Sequence, residues 1–263
     1  RVKALSNMEE VVENGKEYHY LNDNYVILGL LIEEVTGESY ASYMKENIFD
    51  PMGMINTTAD KSVIEEKNIY GYTNILGFPK QLKERVPLYD IPSGYIVSNL
   101  QDMNKYVSFL LKPDEAILSN ESIKEMHMVN ENSDYAMGWG IKEVNDLKII
   151  DHSGLVNSFS AHVALLPEIE SGYVYIVNKG HIIHQFDKTY ETLNNNLLQV
   201  ILSQNNFEHF PSIWIIRIIS LIILGMTLKD IWMTKKLLNA SRSKKGWVKE
   251  GVKSMALIVF LTV

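Results

Sequence analysis

Apolar and polar positions divide the chain into two styles of patterning. From Asn22 to Val129 the apolar residues recur at helical spacing. Tyr25 to Val35 (YVILGLLIEEV) is apolar on nearly every face and predicts a core helix, capped by Asn22 or Asp23 and closed by Gly37. Tyr40 to Ile48 predicts a second helix that stops before Pro51. Leu100 to Leu111 predicts an amphipathic helix with Ser98 or Asn99 as its cap, and Glu121 to Val129 a shorter one. Beyond these the period shortens. Tyr135 to Val144 and Leu147 to Asp151 flank the turn pair Asn145-Asp146, and Phe159 to Leu166 and Gly172 to Asn178 flank PEIES. Two successive hairpins result, followed by a closing helix from Gln185 to Leu202 that is expected to pack on their sheet. Antiparallel strands with helices before and after them predict an α+β sandwich and not a parallel βαβ sheet.

A third style follows. Phe210 to Leu228 is a 19-residue apolar run with Trp214 and Trp232 near its ends, long enough to cross a bilayer core of roughly 30 Å. Arg217 is the cost, reduced if its guanidinium reaches outward to the interface. Lys229 to Lys253 then carries eight basic and two acidic residues, a net charge of +6, against −7 for the whole chain. A basic loop beside an acidic body reads as a cytoplasmic loop, which places residues 1–204 on the outer side. The boundaries expected are a domain at 1–204, a membrane helix with flanks at 205–233, the basic loop at 234–254, and the start of a second membrane helix at 255–263. The loop's charge is explained by topology and anionic lipid, so no nucleic-acid partner is implied. The chain has no cysteine, which excludes disulfides, thiolate metal sites and a cysteine nucleophile. The opening RVKALSNMEE has no apolar core of a signal peptide, and the chain is expected to be part of a longer protein.

Two short stretches can carry chemistry. In Tyr20-Leu21-Asn22 the first and third side chains share one side of an extended backbone, so a phenol and an amide can reach one ligand. By itself the pair also reads as a packed ring and a helix cap. His152-Ser153-Gly154 places an imidazole and a hydroxyl beside a glycine that lets a ligand approach the backbone. That group can hold a substrate carboxylate, and nearby N–H groups can polarise a carbonyl. The alternative is an ordinary turn with an exposed histidine. His181 and His184 stand at metal-ligand spacing without a carboxylate nearby, and read as a surface pair.

Together these stretches resemble the serine β-lactamase and penicillin-binding-protein superfamily, class C-like in its motifs. YLNDNYVILGLLIEEVTG is similar to the family's Tyr-x-Asn triplet and the helix after it. Pro51-Met52-Gly53-Met54 through Thr57 matches its PLGM-x-x-T segment. Pro92 to Met103 resembles the segment ending in Ser-Thr-x-x-Asp-Met, and MGWGIKE its Gly-x-Gly-Trp strand. His152-Ser153-Gly154 resembles the His-Ser-Gly variant of its Lys-Thr-Gly motif. The resemblance runs from about residue 5 to 200 in the family's order. It implies a β-lactamase/transpeptidase-like antiparallel sheet with flanking helices, and an acyl-enzyme mechanism on peptide, amide or ester substrates, cell-wall fragments among them. It implies no cofactor and no metal. Tyr20 becomes the general base or acid, and Asn22 holds the substrate amide. His152 and Ser153 line the carboxylate side, Gly154 admits the ligand, and Leu155 offers its backbone N–H to the oxyanion. Such a domain is expected outside a bacterial cell membrane, with lipid contacting its C-terminal helices. Three departures stand out. Leu21 replaces a serine. His152 replaces a lysine, which makes penicillin hydrolysis doubtful. No Ser-x-x-Lys nucleophile precedes Tyr20. Ser42 to Lys45 matches that pattern in the wrong order, and Ser241 to Lys244 lies in the basic loop. Alongside the hydrolase reading stands a non-catalytic binding or sensor module that signals through the membrane helices.

Overall fold

A computed structural model describes residues 18–67, 69–75, 78–87, 89–129, 133–180, 188–209 and 213–240. The chain divides into two compact units, residues 1–71 with 83–178, and residues 72–82 with 179–263. His181, His184, Ser241, Lys244 and the apolar run at 255–263 lie outside the described residues.

In the first unit, helix α1 (Asn22–Thr36) begins after Leu21, whose extended backbone is the cap; neither Asn22 nor Asp23 takes that role. Gly37 closes it in the left-handed conformation, φ 74°, as expected. The helix meets the turn Ile91–Tyr95 so closely that a Cβ on Gly29 would collide with the Pro92 ring. Only Val26 and Gly29 are buried, while Ile27, Leu28, Leu31 and Val35 are exposed. The expected core helix therefore has a bare apolar side. Helix α2 (Tyr40–Met44), capped by Ser39, widens into a π-helical turn at Lys45–Phe49 before Pro51. A short helix α3 (Lys61–Glu66) is capped by Asp60. Helices α4 (Leu100–Leu111) and α5 (Asn120–Met126) are capped by Asn99 and Ser119.

The two-stranded pair β1 (Tyr70–Ile75) and β2 (Phe78–Lys83) was not legible in the apolar pattern. The main sheet is an antiparallel meander of β3 (Gly140–Val144), β4 (Leu147–Leu155), β5 (Ser160–Leu166) and β6 (Ser171–Val177), in that order. Asn145 and Asp146 both adopt positive φ in the expected two-residue turn. Two boundaries differ from expectation. β3 starts at Gly140 because Gly138, φ 84°, turns the chain, leaving Tyr135 joined to Gly140 by a single bridge. β4 runs four residues further than expected, through Leu155. Ile150, Val163 and Leu165 on one sheet face pack with Val107, Leu110 and Trp139.

Asp102, fully buried in the first turn of α4, ties this unit's loops together. Its Oδ2 accepts from the Asn56 N–H (2.7 Å) and the Thr57 hydroxyl (3.0 Å). Thr57 also meets Ser98 Oγ at 2.8 Å, and Lys105 Nζ stands 3.5 Å from Oδ1. Burial pushes the Asp102 carboxyl up, but the Asn56 and Thr57 donors and Lys105 outweigh it and hold the group below its usual range.

The second unit holds α6 (Thr189–Ile201) and α7 (Ile213–Ala240). Asn196 exchanges hydrogen bonds with the backbone of Glu208, 2.7 and 3.0 Å. The Arg217 guanidinium lies over the rings of Phe78 and Trp214, 5.2 and 5.0 Å from their centroids. Among the described residues no helix is long and apolar enough to cross a membrane. This departs from the expected span at 210–228. Residues 210–212 lie outside the described set, and Arg217, Lys229, Asp230 and Lys235 put charges into every long stretch of α7.

Asp102→Ala would take their shared acceptor from the Asn56 N–H and the buried Thr57 hydroxyl and leave a cavity in the first turn of α4. The expected loss is about 3 kcal/mol of unfolding free energy, read from denaturant titration. A loss below about 0.5 kcal/mol would show that the carboxylate is not the tie.

Candidate active site

The site is built on the free end of β4. Pairing with β3 ends at Gly140 opposite Asp151, whereas pairing with β5 continues to Leu155 opposite Ser160. From His152 to Leu155 the strand therefore has an open edge on the β3 side. Backbone groups alternate along an antiparallel strand. Val156 N–H donates to Phe159 O (2.9 Å), so His152 and Gly154 turn their peptide groups to β5. Ser153 and Leu155 turn theirs to the open edge. The Leu155 N–H expected to meet an oxyanion thus faces the space where a substrate chain could lie.

Side chains alternate as well. His152 points to the face that carries Ile150 and Val163, and meets a group of tyrosines there. Its Nε2 is 3.0 Å from Tyr135 Oη, and Tyr135 Oη is 2.8 Å from Tyr25 Oη. The Tyr20 ring stands edge-on to Tyr135, with centroids 5.7 Å apart, and 6.2 Å from the His152 ring. Tyr18 packs on Tyr135 at 5.2 Å. Tyr20 and His152, separated by 132 positions, therefore share one corner, as the resemblance implies. Asn22 is exposed in the first turn of α1, two residues from Tyr20.

Ser153 points to the opposite face. Its Oγ lies 2.8 Å from Nδ1 of His162, the residue directly across on β5. His162 is 3% exposed and stacks on Tyr175, 5.6 Å between centroids. Its Nε2 stands 3.5 Å from Tyr173 Oη and 3.7 Å from Asp151 Oδ2, and Asp151 is held by Lys142 at 2.5 Å. His152 and Ser153 therefore flank the open edge from two sides instead of lining one wall. Gly154, exposed between them, has nothing within 4 Å of where a Cβ would sit.

Burial governs the protonation of these groups. It pushes the Tyr20 phenol up, and Tyr25 adds to the rise, so Tyr20 is a proton donor at neutral pH. It raises the Tyr135 phenol further, with the hydrogen bond to Tyr25 contributing. It lowers His152 and His162, with Asp151 opposing in both cases. His152 is thus a neutral imidazole where the resemblance would place a lysine cation. Tyr135, Tyr25 and His162 were read only as helix or strand positions. Tyr25 stands one helical turn beyond Asn22, a spacing that does place it beside the triplet. Nothing local marks the other two.

Ser42 and Lys45 form no catalytic pair. Ser42 Oγ meets the capping Ser39, and Lys45 is paired with Asp50 at 2.5 Å.

Away from the edge, burial and Lys148 together lower His127 to about 4, on the edge of the Trp139 ring. His127, His152 and His162 share a consequence for stability. Each has a folded-state pKa below its value in the unfolded chain, so the unfolded chain binds more protons in the interval between. Their contribution is complete above the unfolded value of 6.5; that of His127 and His162 is lost as pH falls toward about 4, and that of His152 as pH falls through its own lowered value. The midpoint of thermal unfolding should fall steadily between pH 7 and 4.5, with a shallower fall in His127→Phe. A flat profile across that interval would contradict the buried neutral imidazoles.

Comparison with known proteins identifies the family and the fold. Residues 1–194 match the family profile described as Beta-lactamase. Protein flp of Staphylococcus aureus (strain MW2) is 32% identical over 171 residues, covering 62% of this chain and 34% of the relative. The chain thus spans about a third of the length of the curated relatives it matches. The octameric penicillin-binding protein homologue from Pyrococcus abyssi superimposes with a TM-score of 0.63 at 27% identity, over 78% of this chain and 47% of the other. A D-amino acid amidase from Ochrobactrum anthropi shares the fold, with a TM-score of 0.60 at 21% identity over 73% and 60% of the two chains. The antiparallel sheet with flanking helices is the β-lactamase/transpeptidase-like fold, and the chain belongs to the β-lactamase family.

Proposed function

We propose that the whole protein is a serine hydrolase acting through an acyl-enzyme on peptide, amide or ester substrates, cell-wall fragments among them. The observation that supports this best is the corner where Tyr20, Tyr135 and His152 meet beside the open edge of β4. In this reading a serine outside these 263 residues attacks the substrate carbonyl. Its Oγ forms a bond to the carbonyl carbon, and the bond to the leaving amine or alcohol breaks. The Tyr20 phenol gives its own proton to that leaving group and takes the serine's in its place; water then bonds to the acyl carbon, the bond to the serine Oγ breaks, and a water proton returns to the serine. Asn22 holds the substrate amide. The Leu155 N–H faces the developing oxyanion. The bare apolar side of α1 is where the part carrying the serine would pack.

A fluorophosphonate probe should label the whole protein covalently. Tyr20→Phe, which keeps the ring and removes the proton, should slow acylation by roughly a hundredfold. Absence of labelling would overturn the hydrolase reading. It would favour a binding or sensor module, which the neutral His152 also fits.

We further propose that the domain lies outside a bacterial cell membrane and is tethered through α7 and the basic loop. Exposed Ile218, Leu221, Ile222 and Leu224 on α7, followed by the +6 stretch, support lipid contact. The protein should stay with the membrane fraction through a high-salt wash and leave it only with detergent. Release by salt alone would overturn the tether.

A further inference from the structure

The hydroxyl of Ser153 is committed before any ligand arrives. Its partner His162 is set in turn by what surrounds its far nitrogen. Nε2 faces the Asp151 carboxylate on β4 and the Tyr173 hydroxyl on β6, with Lys142 of β3 paired to the same Asp151 Oδ2 and Tyr175 stacked on the ring. The Asp151 carboxylate, 3.7 Å away and outside hydrogen-bond reach, favours a proton on the nitrogen turned toward it, and the Tyr173 oxygen at 3.5 Å can accept that proton. In the tautomer protonated on Nε2 the lone pair lies on Nδ1 and receives the Ser153 O–H at 2.8 Å. Ser153 then presents only lone pairs to the open edge.

We propose that His162 is a positioning residue that turns Ser153 into a hydrogen-bond acceptor, so that the substrate group beside it is a donor, an amide N–H or ammonium, and not a carboxylate. This rests on the hydrolase reading for the identity of the edge as substrate site, and it reverses the carboxylate role expected from the sequence. The surroundings agree. Lys142 is spent on Asp151, and His152 contributes no charge on the opposite face. Among the described residues, a carboxylate beside the Ser153 hydroxyl would meet its lone pairs, with the backbone N–H groups of Ser153 and Leu155 as its donors and no unpaired cation. An amide nitrogen would find an oriented acceptor.

The test uses the whole protein and a matched pair of substrates, an N-acyl-D-alanyl-D-alanine and its C-terminal amide. The wild type should prefer the amide by about tenfold or more in kcat/KM, the difference lying mainly in KM. His162→Phe keeps an aromatic ring against Tyr175 but removes the acceptor, freeing the Ser153 proton, and should bring the ratio to about one or below. His162→Gln, whose side-chain oxygen can still accept, should restore part of the preference. Preference for the free acid in the wild type, or a ratio unmoved in both His162→Phe and Ser153→Ala, would overturn the proposal. The nitrogen-15 shifts of the His162 ring provide a readout independent of turnover and of how the variants fold. They should show protonated Nε2 and bare Nδ1 near neutral pH, and protonated Nδ1 would overturn the assignment. If neither substrate acylates the wild type, the hydrolase reading fails while those shifts still decide the state of Ser153.

Discussion

Strand alternation in β4 is the constraint on which the site depends. The strand is anchored at its middle, where Ile149 and Ile150 are buried on opposite faces of the sheet. A slip of one residue would exchange those two side chains and turn the whole strand inside out. With the register held, the four residues that outrun β3 have no freedom. His152 must face the tyrosines, Ser153 must face His162, and the Leu155 N–H must face the open edge. A single hairpin register therefore sets two side-chain environments and one backbone donor.

The tyrosine corner needs the helical half of the same unit held against the sheet. Asp102 contributes from a distance. By taking the Asn56 N–H and the Thr57 hydroxyl, it fixes the chain after α2, and Asn99 caps the helix that carries it. Thr58 and Val97 then exchange backbone hydrogen bonds of 2.9 and 3.0 Å. The turn Ile91–Tyr95, on which α1 packs through Gly29, is only two residues upstream of Val97. α1 in its turn delivers Tyr20 and Tyr25. A buried carboxylate with several donors is costly to disturb, so the polar knot serves position more than net stability.

The chemistry at the edge is that of neutral groups held neutral. Burial lowers the imidazoles and raises the phenols, so neither supplies a permanent charge near neutral pH. A site of this kind works by the direction of its hydrogen bonds. Tyr135 and Tyr25 extend the line of hydroxyls from His152, and His162 settles the line from Ser153. Recognition then depends on which partner carries each proton, and tautomer choice is made by residues that never touch the substrate.

The sequence by itself determined the elements and the family. Helical spacing from Asn22 to Val129, period-two runs after Tyr135, and the Asn145-Asp146 turn are local consequences of sterics and apolar spacing, and each was found close to its expected place. The ordered motifs from Tyr20 to Ser153 were likewise legible, because each is a short run of neighbouring residue types along the chain. The tertiary structure alone decided what lies beside what. The pairing of His162 with Ser153, the line from Tyr25 through Tyr135 to His152, and the exposed side of α1 join positions far apart in the chain or depend on how far a strand outruns its neighbour. No periodicity encodes those distances. The direction of the Ser153 proton is the clearest case: a motif names the hydroxyl, but the carboxylate and phenol packed beyond the next imidazole decide whether it gives or receives.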